Sequence, residues 1–327
     1  MPRLYVPNNA SLHTARAFLS QNLPYGDEEE PSVLVLHPQW THVDPFALSI
    51  IAAWGGWCVR NGKKILVENL GKHADYAARM KLFQYLAVDY SPPVKEHEET
   101  GRFLPLTQVQ TYPQLTQVIG NISALLHLNT EPDALAAVQY CVSELIRNVL
   151  EHSGSPEGAF VCTHRYVGKG PKRVTIAVSD CGQGIASHLA HNFPEAMTDD
   201  RIALGLAMRP GITGAVKGMY GTPENAGAGL FITRSIAKGT GGYFLLMSGD
   251  AVYRLRRSNT PDEQISLFFE AYDEPNYNLW ALPSIWLGTT VAVEIRTDKI
   301  EDFQGFFQWI RKQMPARKTI SKRINFT

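Results

Sequence analysis

Three short polar segments, set apart by apolar runs and arriving in a fixed order, constrain this chain more than anything else in it. The first is Glu144-Leu-Ile-Arg-Asn148-Val-Leu-Glu-His152, where Glu144, Asn148 and His152 recur every four residues. On a helix that spacing gathers them into one polar stripe. Val142, Leu145, Val149 and Leu150 supply an apolar side for burial. A carboxylate one turn before an amide suits a general base beside an oxygen ligand for a hard cation such as Mg2+.

The second segment is Val178-Ser-Asp180-Cys-Gly182-Gln-Gly184-Ile185, directly after a strand expected over residues 173–178. An acid at a strand end followed by two glycines lets backbone approach a flat ligand closely. Its carboxylate can accept from an exocyclic amine such as adenine N6. The third is Asn225-Ala-Gly227-Ala-Gly229-Leu230, which runs into a helix carrying Phe231, Ile232, Ser235 and Ile236 and closing at Gly239-Thr-Gly241-Gly242. A glycine loop opening a helix is a ready anion cradle, because free N–H groups and the positive dipole end face the same way. No Gly-Lys-Ser/Thr closes it, so it is not a Walker A loop. It lacks the strand-turn-helix start and following acid of a dinucleotide fingerprint. Taken singly, the first two also have ordinary readings, a solvated helix face and a tight turn.

Composition removes whole classes of alternative. With 327 residues the length prior is two domains, each with its own core. Lys plus Arg and Asp plus Glu both number 31, so no global field recruits nucleic acid or an anionic membrane. The longest apolar stretch, residues 45–59, falls short of the ~20 residues of a spanning helix. No signal peptide opens the chain, and the four cysteines form no CxxC pair. A soluble, cytoplasmic protein without a membrane span is expected.

Residues 1–100 read as alternating strand and helix: strands at 33–36 and 64–67, an apolar helix over 46–59, and a second helix over 73–87. Short turns between them imply parallel pairing in a small α/β layer. The proline-broken stretch 91–99 marks the domain boundary. Beyond it, strands are expected at 103–108, 173–178, 243–247 and 289–295, with helices over 115–126 and 133–152. Residues 301–327 read as a one-faced helix built on Phe303, Phe306, Phe307 and Ile310, then Pro315 and a basic tail. That tail is a solvated tip or, alternatively, the one place where nucleic acid, lipid or a partner could be held by charge.

Taken together, the three segments resemble the GHKL ATPase superfamily, which includes gyrase B, heat-shock chaperones, sensor histidine kinases and MutL. Glu144, Asn148 and His152 match its N box, Asp180, Gly182 and Gly184 its first glycine box, and Gly227, Gly229 and Leu230 its second. Gly288-Thr289-Thr290-Val291 matches the Gly-Thr that opens the family's last core strand. The resemblance covers about residues 103–297 and implies a Bergerat ATP-binding fold, a two-layer α/β sandwich over 101–300. It implies ATP and Mg2+ as cofactors. Asp180, with Thr289 and Ile185 adjoining, would take adenine; the N–H groups around Gly227 to Leu230 would take phosphates; Asn148 would take the metal. Glu144 matches the base of hydrolysing members and of anti-sigma serine kinases.

By the same resemblance residues 186–224 are the lid, with Arg209 and Lys217 as basic candidates and His188 and His191 as surface residues. Glu151 stands where histidine kinases carry Lys or Arg, and residues 249–287 are an aromatic-rich insert, read as a hairpin or lid buttress or else as a partner surface. Residues 1–100 resemble, more weakly, a STAS domain of the anti-sigma-antagonist type, although Pro45 and Phe46 follow Asp44 where regulated members place the phosphoacceptor serine. Packing or homodimerisation are equal alternatives for that half. None of His37, His42, His73, His97 and His127 lies in a sensor kinase's His-Glu context. Only residues 296–327 follow the last strand, too few for a gyrase- or MutL-type transducer. Two readings remain: an ATPase or kinase acting on an unidentified partner protein, and a nucleotide-gated interaction module with negligible turnover.

Overall fold

The structure, a computed structural model, describes residues 1–21, 25, 30–39, 41–71, 74–90, 103–168, 170–212, 227–257 and 266–314. The expected boundary at 91–99, Lys217, Asn225 and the basic tail from 315 lie outside the described residues. The first half runs β1 (Arg3–Val6), β2 (Asn9–Ala10), α1 (Ala15–Leu19), β3 (Ser32–Leu36), β4 (His42–Val43), α2 (Pro45–Arg60), β5 (Ile65–Glu68), α3 (Asp75–Arg79) and α4 (Leu82–Tyr85). The second runs β6 (Phe103–Val109), α5 (Tyr112–Leu125), α6 (Pro132–Asn148), β7 (Ala159–Tyr166), β8 (Arg173–Ser179), α7 (Gly184–Leu189) and α8 (Asp200–Ala207). It ends with α9 (Gly229–Gly239), β9 (Tyr243–Leu255), β10 (Tyr277–Arg296) and α10 (Phe303–Gln313).

Strand-helix alternation in the first half produces parallel pairing, in the order β1-β3-β5. The second half holds an antiparallel sheet in the order β6-β7-β8-β10-β9. Its alternating strands split their side chains between two faces. Val161, Ile176, Leu246 and Val293 face α5, α6 and α9 and form one core with them. Cys162, Ala177, Leu245 and Ala292 point to the opposite face.

That opposite face is covered by α2. Asp44 caps this helix, its Oδ1 accepting from the N–H groups of Phe46 (3.0 Å) and Ala47 (3.3 Å). Residues 45–55 are all buried, as expected of a helix apolar all round. One side of α2 packs on the parallel sheet and α4, the other on β7, β8 and β10. Gly56 makes the second approach possible, since a Cβ there would lie 2.7 Å from Phe160 Cζ. The two halves therefore do not carry separate cores: Leu34, Ile50, Trp54, Phe160, Ala177 and Met247 belong to one cluster. Trp54→Ala, a change confined to the first half, is expected to cost about 3–5 kcal/mol. It should shift a single unfolding transition of the whole chain, and two transitions with only one displaced would contradict the shared core.

Other differences from the sequence expectation have local causes. The helix expected over 73–87 is broken because Lys81 takes φ +63° and the Met80 carbonyl accepts from Leu106 N–H (3.1 Å) on β6. The helix expected over 133–152 gives way after Asn148 to one wider turn over Val149–Ser153, stopped by Gly154 at φ +62°. The insert takes the hairpin reading: β9 and β10 run on, pairing Ala251 with Ala281 and Leu255 with Tyr277. Its aromatics turn inward, Phe269 stacking on Phe231 of α9 (5.7 Å) and Tyr272 on Tyr277 (5.7 Å). Both its root and its outer part hold α8, where Asp250 N–H donates to Asp200 Oδ2 (2.8 Å) and Tyr272 Oη donates to Arg201 O.

Candidate nucleotide-binding site

Glu144 and Asn148 lie one turn apart on α6, and both are half-buried. The wider turn after Asn148 takes His152 out of register with them. Its ring stacks instead on His188 of α7, with centroids 4.4 Å apart, and Gln183 Nε2 donates to its carbonyl (2.7 Å). His188 is thus half-buried against the candidate site rather than on the surface; burial and the facing His152 push its pKa down to about 4. His191 is exposed.

Asp180 follows β8 and is 1% exposed. Its Oδ1 accepts from Gly182 N–H (2.7 Å), and its own N–H donates to Thr289 O (2.9 Å). Burial raises the carboxyl to about 7, against the pull of the Gly182 and Thr289 backbone N–H groups. Bulges in β10 between Ala281 and Thr289 bring Gly288 over this acid. Gly288 holds φ +86°, and a Cβ there would lie 2.3 Å from Asp180 O and 2.6 Å from its Oδ1, so only glycine closes the turn. The first glycine box, the last core strand and Asp180 therefore meet. Gly184 opens α7 at φ +75°, with Ile185 half-buried behind it.

Gly229 begins α9 across from Glu144: a Cβ on it would lie 2.6 Å from Glu144 Oε2. Among the described residues no side chain caps this helix start, and the first intrahelical bond runs from Ile232 N–H to Ala228 O (2.9 Å). The N–H groups of Gly229, Leu230 and Phe231 therefore stand outside the helical ladder. Gly227, at φ +75°, accepts from Gly211 N–H (2.9 Å), which ties the chain ahead of residues 213–226 to the chain just after them. The Glu144 carboxyl is raised by burial, lowered by Arg147 and raised again by Glu151. Arg147 reaches both acids, at 3.4 Å from Glu144 Oε1 and 3.3 Å from Glu151 Oε1, and Tyr112 Oη holds Glu151 at 2.8 Å.

The donor set fits a polyphosphate carried with a hard cation. An uncapped helix start offers N–H groups to the anion. A cation would offset the carboxylate that faces them, and the Asn148 amide makes no hydrogen bond among the described residues. Arg209 is spent on Glu270 of the insert, so its reading as a phosphate contact would require that ion pair to open. Sequence reasoning missed Ser248, which is 2% exposed and links three parts of the site. The signal that finds it is its register opposite Thr289, visible only once β9 and β10 are paired.

The family model of the histidine kinase-like ATPase domain matches residues 109–239. That matched stretch takes in the α6 stripe, the Asp180 turn and the α9 start. No curated protein and no solved structure matches the chain. No helix among the described residues is long and apolar enough to cross a membrane.

Proposed function

We propose, starting from the histidine kinase-like ATPase domain of residues 109–239, that the chain is a regulatory protein that binds Mg-ATP and hydrolyses it or transfers its γ-phosphate to a partner protein, in the manner of anti-sigma kinases. When bound, Mg-ATP supplies the transferable phosphoryl group and the cation that neutralises its charge. Asp180 would accept from the adenine amine, with Thr289 and Ile185 beside it. The N–H groups of Gly227, Gly229 and Leu230 would hold phosphate oxygens, and Asn148 the metal. Glu144 Oε2 would orient a water or a partner's hydroxyl and take its proton. Burial makes this carboxylate a stronger base than an exposed one. Phosphoryl transfer asks mainly for such positioning and charge neutralisation.

The observation that carries this reading is the convergence of four distant stretches: Glu144 against Gly229, Asp180 beneath Gly288, and the two pairs joined where Gln183 N–H donates to Ser153 O (2.8 Å) at the end of the α6 stripe. Residues 1–100, read as a STAS-like layer, would act as the regulatory attachment behind the nucleotide-binding stretch 101–300. Titration calorimetry with ATP is expected to show one site whose affinity rises with Mg2+. A flat titration with ATP, ADP and their Mg2+ complexes overturns the proposal.

One observation favours the second reading, binding without turnover. Arg147 stands 3.4 Å from Glu144 Oε1, so the carboxylate already has a partner of the kind a purely structural acid keeps. In that case closing of the lid over nucleotide would alter a partner surface with no phosphate released.

A further inference from the structure

Ser248 on β9 supplies the hydroxyl that joins the lid root to the last core strand, and its protons can be counted. Its Oγ lies 3.0 Å from Ile185 N, 2.8 Å from Gly288 O and 3.3 Å from Thr289 Oγ1. A backbone N–H can only donate and a backbone carbonyl can only accept. The single serine proton therefore goes to Gly288 O, and one serine lone pair takes the Ile185 N–H. What remains on Ser248 Oγ is a lone pair, so the Thr289 hydroxyl has to be the donor between the two side chains. With its proton committed there, Thr289 Oγ1 has only lone pairs left to offer a ligand.

Thr289 sits beside Asp180, whose N–H is bonded to the Thr289 carbonyl (2.9 Å). An ionised carboxylate is acceptor-only as well. We infer that Ser248 is a specificity-positioning residue: by holding the Thr289 proton it leaves two neighbouring acceptors at the base-binding end of the site, which selects a 6-amino purine and rejects a 6-oxo purine. An exocyclic amino group carries two hydrogens and can satisfy both acceptors. A 6-oxo purine offers one donor there, N1–H, beside an acceptor, so at most one of the two protein acceptors is satisfied and the other is left facing the oxo oxygen unpaired. This assignment rests on the nucleotide reading above and adds to it the group that sets base choice.

The geometry around Ser248 explains why its position is tightly held. A Cβ on Gly184 would lie 3.0 Å from Ser248 Oγ and 3.5 Å from Gly288 O. Gly288 in turn stands over the Asp180 carboxylate. One hydroxyl thus ties the start of α7, the turn before Thr289 and the threonine proton together, without itself facing the base.

The test is the ratio of ADP to IDP affinity, measured by titration calorimetry at one pH near 8. The wild-type chain is expected to prefer ADP, and Ser248→Ala, which frees the Thr289 proton to point at an oxo group, to lower that preference by about tenfold or more. A hydroxyl that only braces the fold would weaken both nucleotides alike, so an unchanged ratio overturns the inference. Thr289→Val removes the second acceptor outright and should lower the ratio as well, which keeps the proposal open to refutation should the serine variant fail to fold. In the Thr289→Val background, Ser248→Ala should no longer move the ratio. If it does, Ser248 acts by another route and the inference fails. A wild-type chain that binds neither ADP nor IDP refutes the nucleotide reading itself, whereas bound ADP with an unmoved ratio refutes only this step.

Discussion

Asp180→Asn is expected to lower ADP affinity by about 100-fold or more and, at the same time, to make the unliganded protein more stable at pH 8. The first effect follows from reversing one atom's role. A carboxylate oxygen that accepts from an amine is replaced by an NH2 group that opposes it, and a charge-assisted bond is lost in a dry site. The second follows from the cost of burying the charge. Asp180 is 1% exposed and burial lifts its carboxyl to about 7, well above the ordinary value of 3.8.

A carboxyl raised on folding holds its proton more tightly in the native state than in the unfolded chain. Its destabilising contribution is absent below about pH 4, grows as pH rises through the window from about 4 to 7, and is complete above that. Asparagine has no charge to bury, so its advantage should be largest at pH 8 and vanish near pH 4. Thermal unfolding of both proteins across this range, with and without ADP, reads both effects at once. Wild-type affinity for ADP should also fall as pH drops below about 7, since the proton and the amine compete for the same oxygens. A variant that binds ADP as tightly as the wild type would remove Asp180 from the site.

Glu144→Gln is expected to reduce phosphate release or transfer by about 10²- to 10⁴-fold while leaving nucleotide affinity nearly unchanged. Glutamine keeps the volume and the approach to Gly229, where a Cβ would lie 2.6 Å from Glu144 Oε2. It removes only the ability to take a proton. Arg147 would lose one of its two acids but keep Glu151 at 3.3 Å, so the stripe should hold its shape. Single-turnover measurements beside calorimetry separate the two quantities. Equal turnover in both proteins would leave Glu144 as a structural acid and favour the gated-module reading.

The arrangement of the candidate site was readable from sequence to the extent that chemistry dictates spacing. Glycines that must avoid a neighbouring carboxylate, as Gly229 and Gly288 do, leave a mark that survives without coordinates. The acid after β8 and the amide one turn beyond Glu144 leave similar marks. What escaped was set by long-range pairing. Ser248 is an unremarkable serine until β9 is laid beside β10. The stacking of His152 on His188 depends on a wider turn that periodicity over 133–152 does not announce. In the first half, the apolarity of residues 45–55 correctly demanded burial of α2, but no local pattern says which surface would bury it. The break at Lys81 likewise depends on a Met80 carbonyl already taken by β6.

The placement of α2 has a consequence for how this candidate nucleotide site could ever be borrowed. Ser49 of α2 accepts from Ser179 Oγ (2.9 Å), one residue before Asp180, and Cys181 Sγ, one residue after it, donates to Ala53 O (3.2 Å). Excising residues 103–314 as a free-standing module would strip α2 from behind the Asp180 turn and leave Phe160, Ala177 and Met247 facing water. Such a fragment would clump before it could be assayed. Gene fusions that transplant the nucleotide grip must therefore bring the leading ninety residues along as well.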